Sequence, residues 1–115
     1  MSFSINEVKL IGNIGKDPEV RSMPNGTVVA NFTLATTRKW KEDQNQNQER
    51  TEWHSLVAYG RNAEVIRDYL KKGTQAFFEG YLQTRKWTDN NSIDRYTTEI
   101  VVEKVGLLGA KPNNQ

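Results

Sequence analysis

Apolar and polar residues alternate from Ile5 to Ile14, placing Val8, Leu10, Gly12 and Ile14 on one side, the period-two pattern of a strand. Asp17-Pro18 and Pro24-Asn25-Gly26 are turn signals, the second because Asn-Gly tolerates the positive φ of a tight hairpin. Val28, Ala30, Phe32 and Leu34 form the apolar face of a second strand, which runs into the tetrapeptide Thr37–Trp40. Lys41–Arg50 has no apolar residue and is expected to be a mobile loop. Thr51–Tyr59 is a third strand, with Trp53, Ser55, Val57 and Tyr59 on one face and Glu52, His54, Leu56 and Ala58 on the other.

Helical spacing occurs in one stretch, Asn62–Lys72, where Val65, Ile66, Tyr69 and Leu70 share a side. Asn62 suits the N-cap and Gly73 the C-terminal cap. Gln75–Trp87 reads as a long fourth strand, Asp89-Asn90-Asn91-Ser92 as a turn, and Arg95–Val105 as a fifth strand with Tyr96, Thr98, Ile100 and Val102 on one face. The order β-β-β-α-β-β is the plan of the OB-fold, a five-stranded Greek-key barrel with one helix between strands 3 and 4. Residues 1–107 are expected to form this single domain, and 108–115 the start of a flexible polar tail.

With 115 residues, 36% of them hydrophobic, the chain has little apolar material for a core, which suits a small barrel or an oligomer. Cysteine is absent, so disulfides and thiolate metal sites are excluded, and a reducing compartment is consistent with that. The amino-terminal residues lack the apolar run of a signal peptide, and nowhere does an apolar stretch reach membrane-spanning length. Cytoplasm, in association with the nucleoid, is the expected location. Net charge is only +2, so the distribution of charge matters more than its sum.

That distribution centres on a repeat. Thr-Arg-Lys-Trp occurs at Thr37–Trp40 and again at Thr84–Trp87, each time at a strand end beside a polar segment. A single nucleic-acid strand offers any binder a flat base and a phosphate charge at every nucleotide, so a binder needs aromatic rings interleaved with cations. Trp40, Trp53, Tyr59 and Trp87 are the candidate stacking rings, although Trp53 beside Val57 and Tyr59 could equally be packed in a core. Arg38, Lys39, Arg85 and Lys86 are candidate phosphate contacts, joined by Arg61 and Lys72 at the ends of the helix, which could also be ordinary solvated termini.

Four segments, Gly12–Gly26, Thr51–Gly60, Glu79–Asp89 and Asp94–Val102, closely resemble the bacterial single-stranded DNA-binding protein (SSB) family, in order and over nearly the whole chain. The resemblance implies an OB-fold homotetramer that wraps and protects single-stranded DNA in replication, recombination and repair. It places the base-stacking aromatics on Trp40, Trp53, Tyr59 and Trp87, and gives His54 a place at a subunit interface. Tyr59 stands where the family commonly has Phe, keeping the ring and adding a hydroxyl. Family members normally continue into a linker and an acidic tip that recruits replication and repair proteins. The sequence ends at Lys111–Gln115 without such a tip, so recruitment through it is not expected of these residues.

Catalysis is not expected. Scattered carboxylates offer no metal-held phosphate chemistry, one His and no Cys give no ordinary zinc site, and no nucleophile–base set is visible. No cofactor or metal is expected, and no membrane partner. A protein-interaction OB domain is the main alternative, but it need not carry basic-flanked rings. Stacking and phosphate contacts do not separate DNA from RNA, which takes contacts to the 2′-hydroxyl; the preference for DNA rests on the resemblance. Gly12-Asn13-Ile14-Gly15 matches the GxxG of a KH clamp but lies in a strand-turn context and is read as a turn.

Overall fold

The computed structural model describes residues 2–108, so the expected tail lies, beyond Leu108, outside the described residues. The strands are β1 (Val8–Ile14), β2 (Glu19–Ser22), β3 (Val28–Glu42), β4 (Gln46–Tyr59), β5 (Gln75–Thr88) and β6 (Asp94–Leu107), with one α-helix among the described residues, α1 (Arg61–Tyr69), and a 3-10 turn at Asp43–Asn45. Hydrogen-bonded neighbours run β1-β5-β6-β4-β3-β2, and an additional β1–β3 pairing closes the first five long strands into a barrel. This is the expected OB-fold. The short β2, an addition within the turn-rich Asp17–Gly26 segment, pairs only with the start of β3, so the helix follows the fourth strand rather than the third.

Closure depends on two narrow seams. β1 pairs along Val8–Asn13 with β5 and through only Asn13↔Ala35 and Ile14↔Leu34 with β3. The parallel β4–β6 seam has just Leu56↔Ile100 and Val57↔Val101. Turning the sheet this sharply needs positions without side chains, and Gly12 and Gly80 supply them. A Cβ on Gly12 would collide with the Ala35 carbonyl, and one on Gly80 with that of Val101. At Gly80 the β5–β6 register slips so that Glu103 is unpaired, a bulge. Asn6 extends the β1 edge, its side-chain amide exchanging bonds of 2.8 and 2.9 Å with the Leu82 backbone.

Inside, Phe32, Leu34, Leu56, Phe78 and Ile100 from four strands meet Ala63, Ile66 and Leu70 of the helix segment. The Phe32 and Phe78 rings lie 5.0 Å apart. The helix is shorter than its apolar spacing predicts. Gly60, with φ of 62°, occupies the N-cap, and Asn62, expected there, instead donates its side-chain N–H to the Glu103 carbonyl at 3.2 Å, pinning the helix start to the bulge. Gly73, with φ of 88°, shapes the turn back into β5 rather than capping the helix, and its N–H bonds to the Ile14 carbonyl at 2.8 Å.

The expected loop Lys41–Arg50 is a ladder. β3 and β4 stay paired to Glu42↔Gln46 and reverse through Gln44 and Asn45, both at positive φ, the turn handedness that matches strand twist. Backbone pairing needs no apolar side chains when both faces of a ribbon are wet. At the other hairpin the Pro24-Asn25-Gly26 turn is as expected: Gly26 has φ of 91°, and Asn25 Oδ1 accepts from Thr27 N–H at 3.0 Å.

Substituting Gly12→Ala should force β1 away from β3 and lower stability by about 1–3 kcal/mol, the usual cost of overpacking. Denaturant unfolding measures it; an unchanged midpoint would mean that the seam does not require the close approach.

Candidate nucleic-acid interface

Strand parity decides which rings share a surface. On β3 the buried Ala30, Phe32 and Leu34 point inward, so Thr36, Arg38 and Trp40 continue that side, and Asn31, Thr33, Ala35 and Lys39 take the outer face. Cross-strand partners share a face, which places Trp53, opposite Ala35, and Tyr59, opposite Val29, on the outer side. On β5 the buried Ala76, Phe78 and Gly80 fix the inner parity, leaving Tyr81, Gln83, Arg85 and Trp87 outside. Their β6 partners Val101, Glu99, Thr97 and Arg95 are outside too. The identical tetrapeptides therefore face opposite ways: Arg38 and Trp40 with the inner parity, Arg85 and Trp87 with the outer.

Of the predicted stacking rings, Trp53, Tyr59 and Trp87 are thus brought onto one surface, and Trp40 is not. All four are open to solvent, and Trp53, for which packing was the alternative, is the most exposed at 61%. Its ring lies over Gly15, where an added Cβ would come within 2.5 Å of the indole. The Trp87 indole N–H donates to Thr97 Oγ1 at 2.8 Å, which sets the ring's angle, and the side chain remains partly open to solvent. An apolar patch of Val29, Val57 and Val101, with Met23 and Tyr81 against it, underlies this face.

Trp40 instead borders an open groove of about 1050 Å³ with Ile11, Arg38, Arg50 and His54. His54 Nε2 lies 2.9 Å from Thr36 Oγ1, a half-buried bond across the β3–β4 pair. The candidate interface residue and the fourth ring therefore share one wall of the molecule.

The cations are mostly tethered. Arg85 Nε reaches Glu99 at 3.3 Å, Lys86 reaches Asp94 at 3.3 Å, Lys39 reaches Glu49 at 4.0 Å, and Arg61 reaches Glu64 at 3.4 Å. Among the described residues Arg38 and Lys72 have no ion pair; Lys72 is placed by its backbone N–H, which bonds to Asp17 at 2.8 Å. Arg61 and Lys72 flank the helix, whose start is bonded to β6 at Glu103, whereas Trp87 lies near the tip of the β5–β6 hairpin. Arg95, Thr97, Glu99 and Gly15 also belong to the outer face. The alternation along Arg95–Val101 was the available signal for the first three; nothing local in the sequence pairs Gly15 with Trp53.

The tip of the β5–β6 hairpin holds Trp87 and Arg95 opposite each other. There Asp89 Oδ1 accepts N–H bonds from Asn91 at 2.8 Å and Ile93 at 3.0 Å, and Oδ2 accepts from Arg95 Nε at 2.9 Å. The Ile93 N–H bond, then the Arg95 guanidinium and the Asn91 N–H, hold the Asp89 carboxyl below its ordinary range.

A model of the Single-strand binding protein family matches residues 5–108. A solved structure described as the Plasmodium falciparum SSB complex with ssDNA is 35% identical, with a TM-score of 0.84 over 95% of this chain and 99% of that one. No helix among the described residues is long and apolar enough to cross a membrane, and no group of three or more potential metal ligands occurs among them.

Because the Asp89 pKa is lowered, its contribution to loop order is complete above the ordinary aspartate range and disappears only as pH falls through the depressed folded value. NMR titration of the Asn91 and Ile93 amides should therefore show the loop intact through the ordinary range and changing below it. A midpoint at or above that range would mean that the carboxylate is not held as the bonds indicate.

Proposed function

The chain belongs to the single-strand binding protein family, and we propose that it binds single-stranded DNA without catalysis, by stacking bases on its exposed rings. The observation that carries this reading is the common outer face of Trp53, Tyr59 and Trp87, interleaved with Lys39, Arg85 and Arg95. The 35% identity with a protein solved in complex with ssDNA supports DNA as the ligand. Stacking contributes about 1–3 kcal/mol per base, is indifferent to sequence because every base has a π face, and adds to whatever the phosphates contribute.

Arg38, Lys39, Arg85, Lys86 and, at the helix ends, Arg61 and Lys72 are the proposed phosphate contacts. Exposed ion pairs such as Lys86–Asp94 and Lys39–Glu49 stabilise the protein by about 0–1 kcal/mol. Exchanging their carboxylates for phosphates thus costs the fold little. Each such contact steepens the fall of affinity with salt by about 0.7 in the logarithmic slope.

We propose further that residues 1–107 form the binding and assembly domain and that copies associate as a homotetramer, with His54 at a subunit contact. The half-exposed Ile11 and the incompletely paired β1 beside the Trp40 groove support an interface there. Wrapping of DNA around the assembly would place the protein in replication, recombination and repair, in the cytoplasm or on the nucleoid. Recruitment of replication and repair proteins would need an acidic tip beyond these residues.

Tryptophan fluorescence should be quenched strongly by oligo-dT and little by a matched duplex, and less so as salt rises. Trp87→Ala should weaken binding to every sequence about equally, by about 1–3 kcal/mol, in a domain that remains folded. No quenching by any single strand would overturn the stacking role, and strong quenching by the duplex would overturn the single-strand preference. Light scattering after size exclusion should give the mass of four chains; a monomer mass would remove the assembly proposal.

A further inference from the structure

One feature of the outer face runs against phosphate binding. Glu99 sits on it with a side chain only 5% exposed, a buried carboxylate among the groups proposed to meet a polyanion. Its single protein hydrogen bond among the described residues is the 3.3 Å contact from Arg85 Nε to Oε2. Oε1 has no donor there. A buried carboxylate is costly unless its lone pairs are satisfied, so the second oxygen calls for an N–H from outside the fold.

Glu99 lines a pocket of about 220 Å³ whose other walls include Lys16, Asn31, Ser55, Arg85 and Thr97. That is below the roughly 300–1,000 Å³ of sites for drug-sized ligands and suits one flat heterocycle. Its charged lining consists of Lys16 and Arg85 against Glu19 and Glu99, a balance suited to a neutral polar ligand rather than a phosphate. Its place is equally specific. Thr33 and Ser55 form the cross-strand pair next along the outer face from Ala35 and Trp53, and Thr97 accepts the Trp87 indole N–H. The pocket lies between two of the stacking rings.

We propose that this pocket seats one nucleobase of the bound strand and, through Glu99 Oε1, favours an amino-bearing edge, cytosine over thymine. The inference rests on single-stranded DNA being the ligand. Cytosine's exocyclic amine gives the carboxylate the donor it lacks. Thymine's one N–H lies between carbonyl oxygens that would face the carboxylate. The selectivity applies to one nucleotide among several held by stacking, so the protein as a whole remains tolerant of sequence.

The test compares fluorescence anisotropy of labelled dC and dT oligomers of equal length with the wild-type protein and Glu99→Gln. Arg85 Nε–H requires the amide oxygen of Gln, which turns the amide NH2 into the Oε1 position and makes an acceptor site a donor site. The expected result is a shift of the dC/dT affinity ratio toward dT by about fivefold or more, the low end of a base contact. An oligomer of N4,N4-dimethylcytosine asks the same question of the unaltered protein: it should bind the wild type more weakly than dC and bind Glu99→Gln no worse than dC. Its wild-type comparison decides if the variant fails to fold. An equal change in dC and dT affinity, or wild-type binding that ignores N4 methylation, would overturn the inference and leave the stacking reading standing. Wild-type protein that binds none of these oligomers would overturn that reading as well.

Discussion

Closure of the barrel at β1 is the constraint on which the remaining features depend. Its pairing with β3 extends over only Asn13↔Ala35 and Ile14↔Leu34, and it requires backbone contact at Gly12. Closing the sheet there fixes which parity of each strand is core, and period two carries that choice outward along β3, β4, β5 and β6 without further instruction. Whether a ring at the far end of an arm is presented to one surface or the other is thus decided where Leu34 and Phe78 are buried. A one-residue slip in any of these strands would move Trp87 or Trp53 to the opposite face while leaving its sequence context unchanged.

Electrostatics along the β3–β4 and β5–β6 arms are held close to neutrality. Arg85, Lys86, Lys39 and Arg95 each have a carboxylate within 4.0 Å, in keeping with a net charge of only +2. These pairs differ in kind. Lys86–Asp94 and Lys39–Glu49 are exposed on both sides and give way readily to a competing anion. Arg85–Glu99 has one partner buried, and Arg95–Asp89 is built into a turn whose Asp89 side chain is 16% exposed. Lys86 and Lys39 can exchange their carboxylates for phosphates readily, whereas Arg85 and Arg95 are held by theirs through Nε and keep their other N–H donors for a ligand. Rings and oriented donors, more than net charge, therefore carry the proposed affinity.

Much of this was legible in the sequence. Alternation gave the long strands, the apolar 3.6-residue spacing gave the helix, and the basic-flanked tryptophans marked the exposed rings. What escaped has physical causes. Lys41–Arg50 reads as a loop because strand signals come from burial, and a ribbon wet on both faces has none; its ladder is continued from the paired residues behind it. Asn62 has the chemistry of an N-cap, but a bulge distant in sequence offered its amide a carbonyl, and Gly60 took the cap. The opposite facing of the two tetrapeptides is invisible in the repeat itself. It follows from counting back to the nearest buried residue on each strand, and the Gly15–Trp53 contact follows from nothing local at all.

The separation of Trp40 from the other rings has a consequence for how a strand would be held. On the proposed reading, a strand stacked on Trp53 and Trp87 occupies the outer face, while Trp40 and Arg38 wait in the groove on the other side of the β3–β4 ribbon. To use all four rings of one copy, the nucleic acid must pass over the edge of that ribbon, where Lys39, Lys41 and Gln48 line a further recess. A straight segment cannot do so, but a flexible single strand can, and a stiff duplex with a persistence length of about 150 base pairs cannot bend within one small domain at comparable cost. Preference for single strands would then come from the path as well as from the availability of unpaired bases. The same opposed faces that make the repeat look redundant in sequence make it non-redundant in space: one copy serves the open surface, and the other serves the wall where a second subunit is proposed to sit.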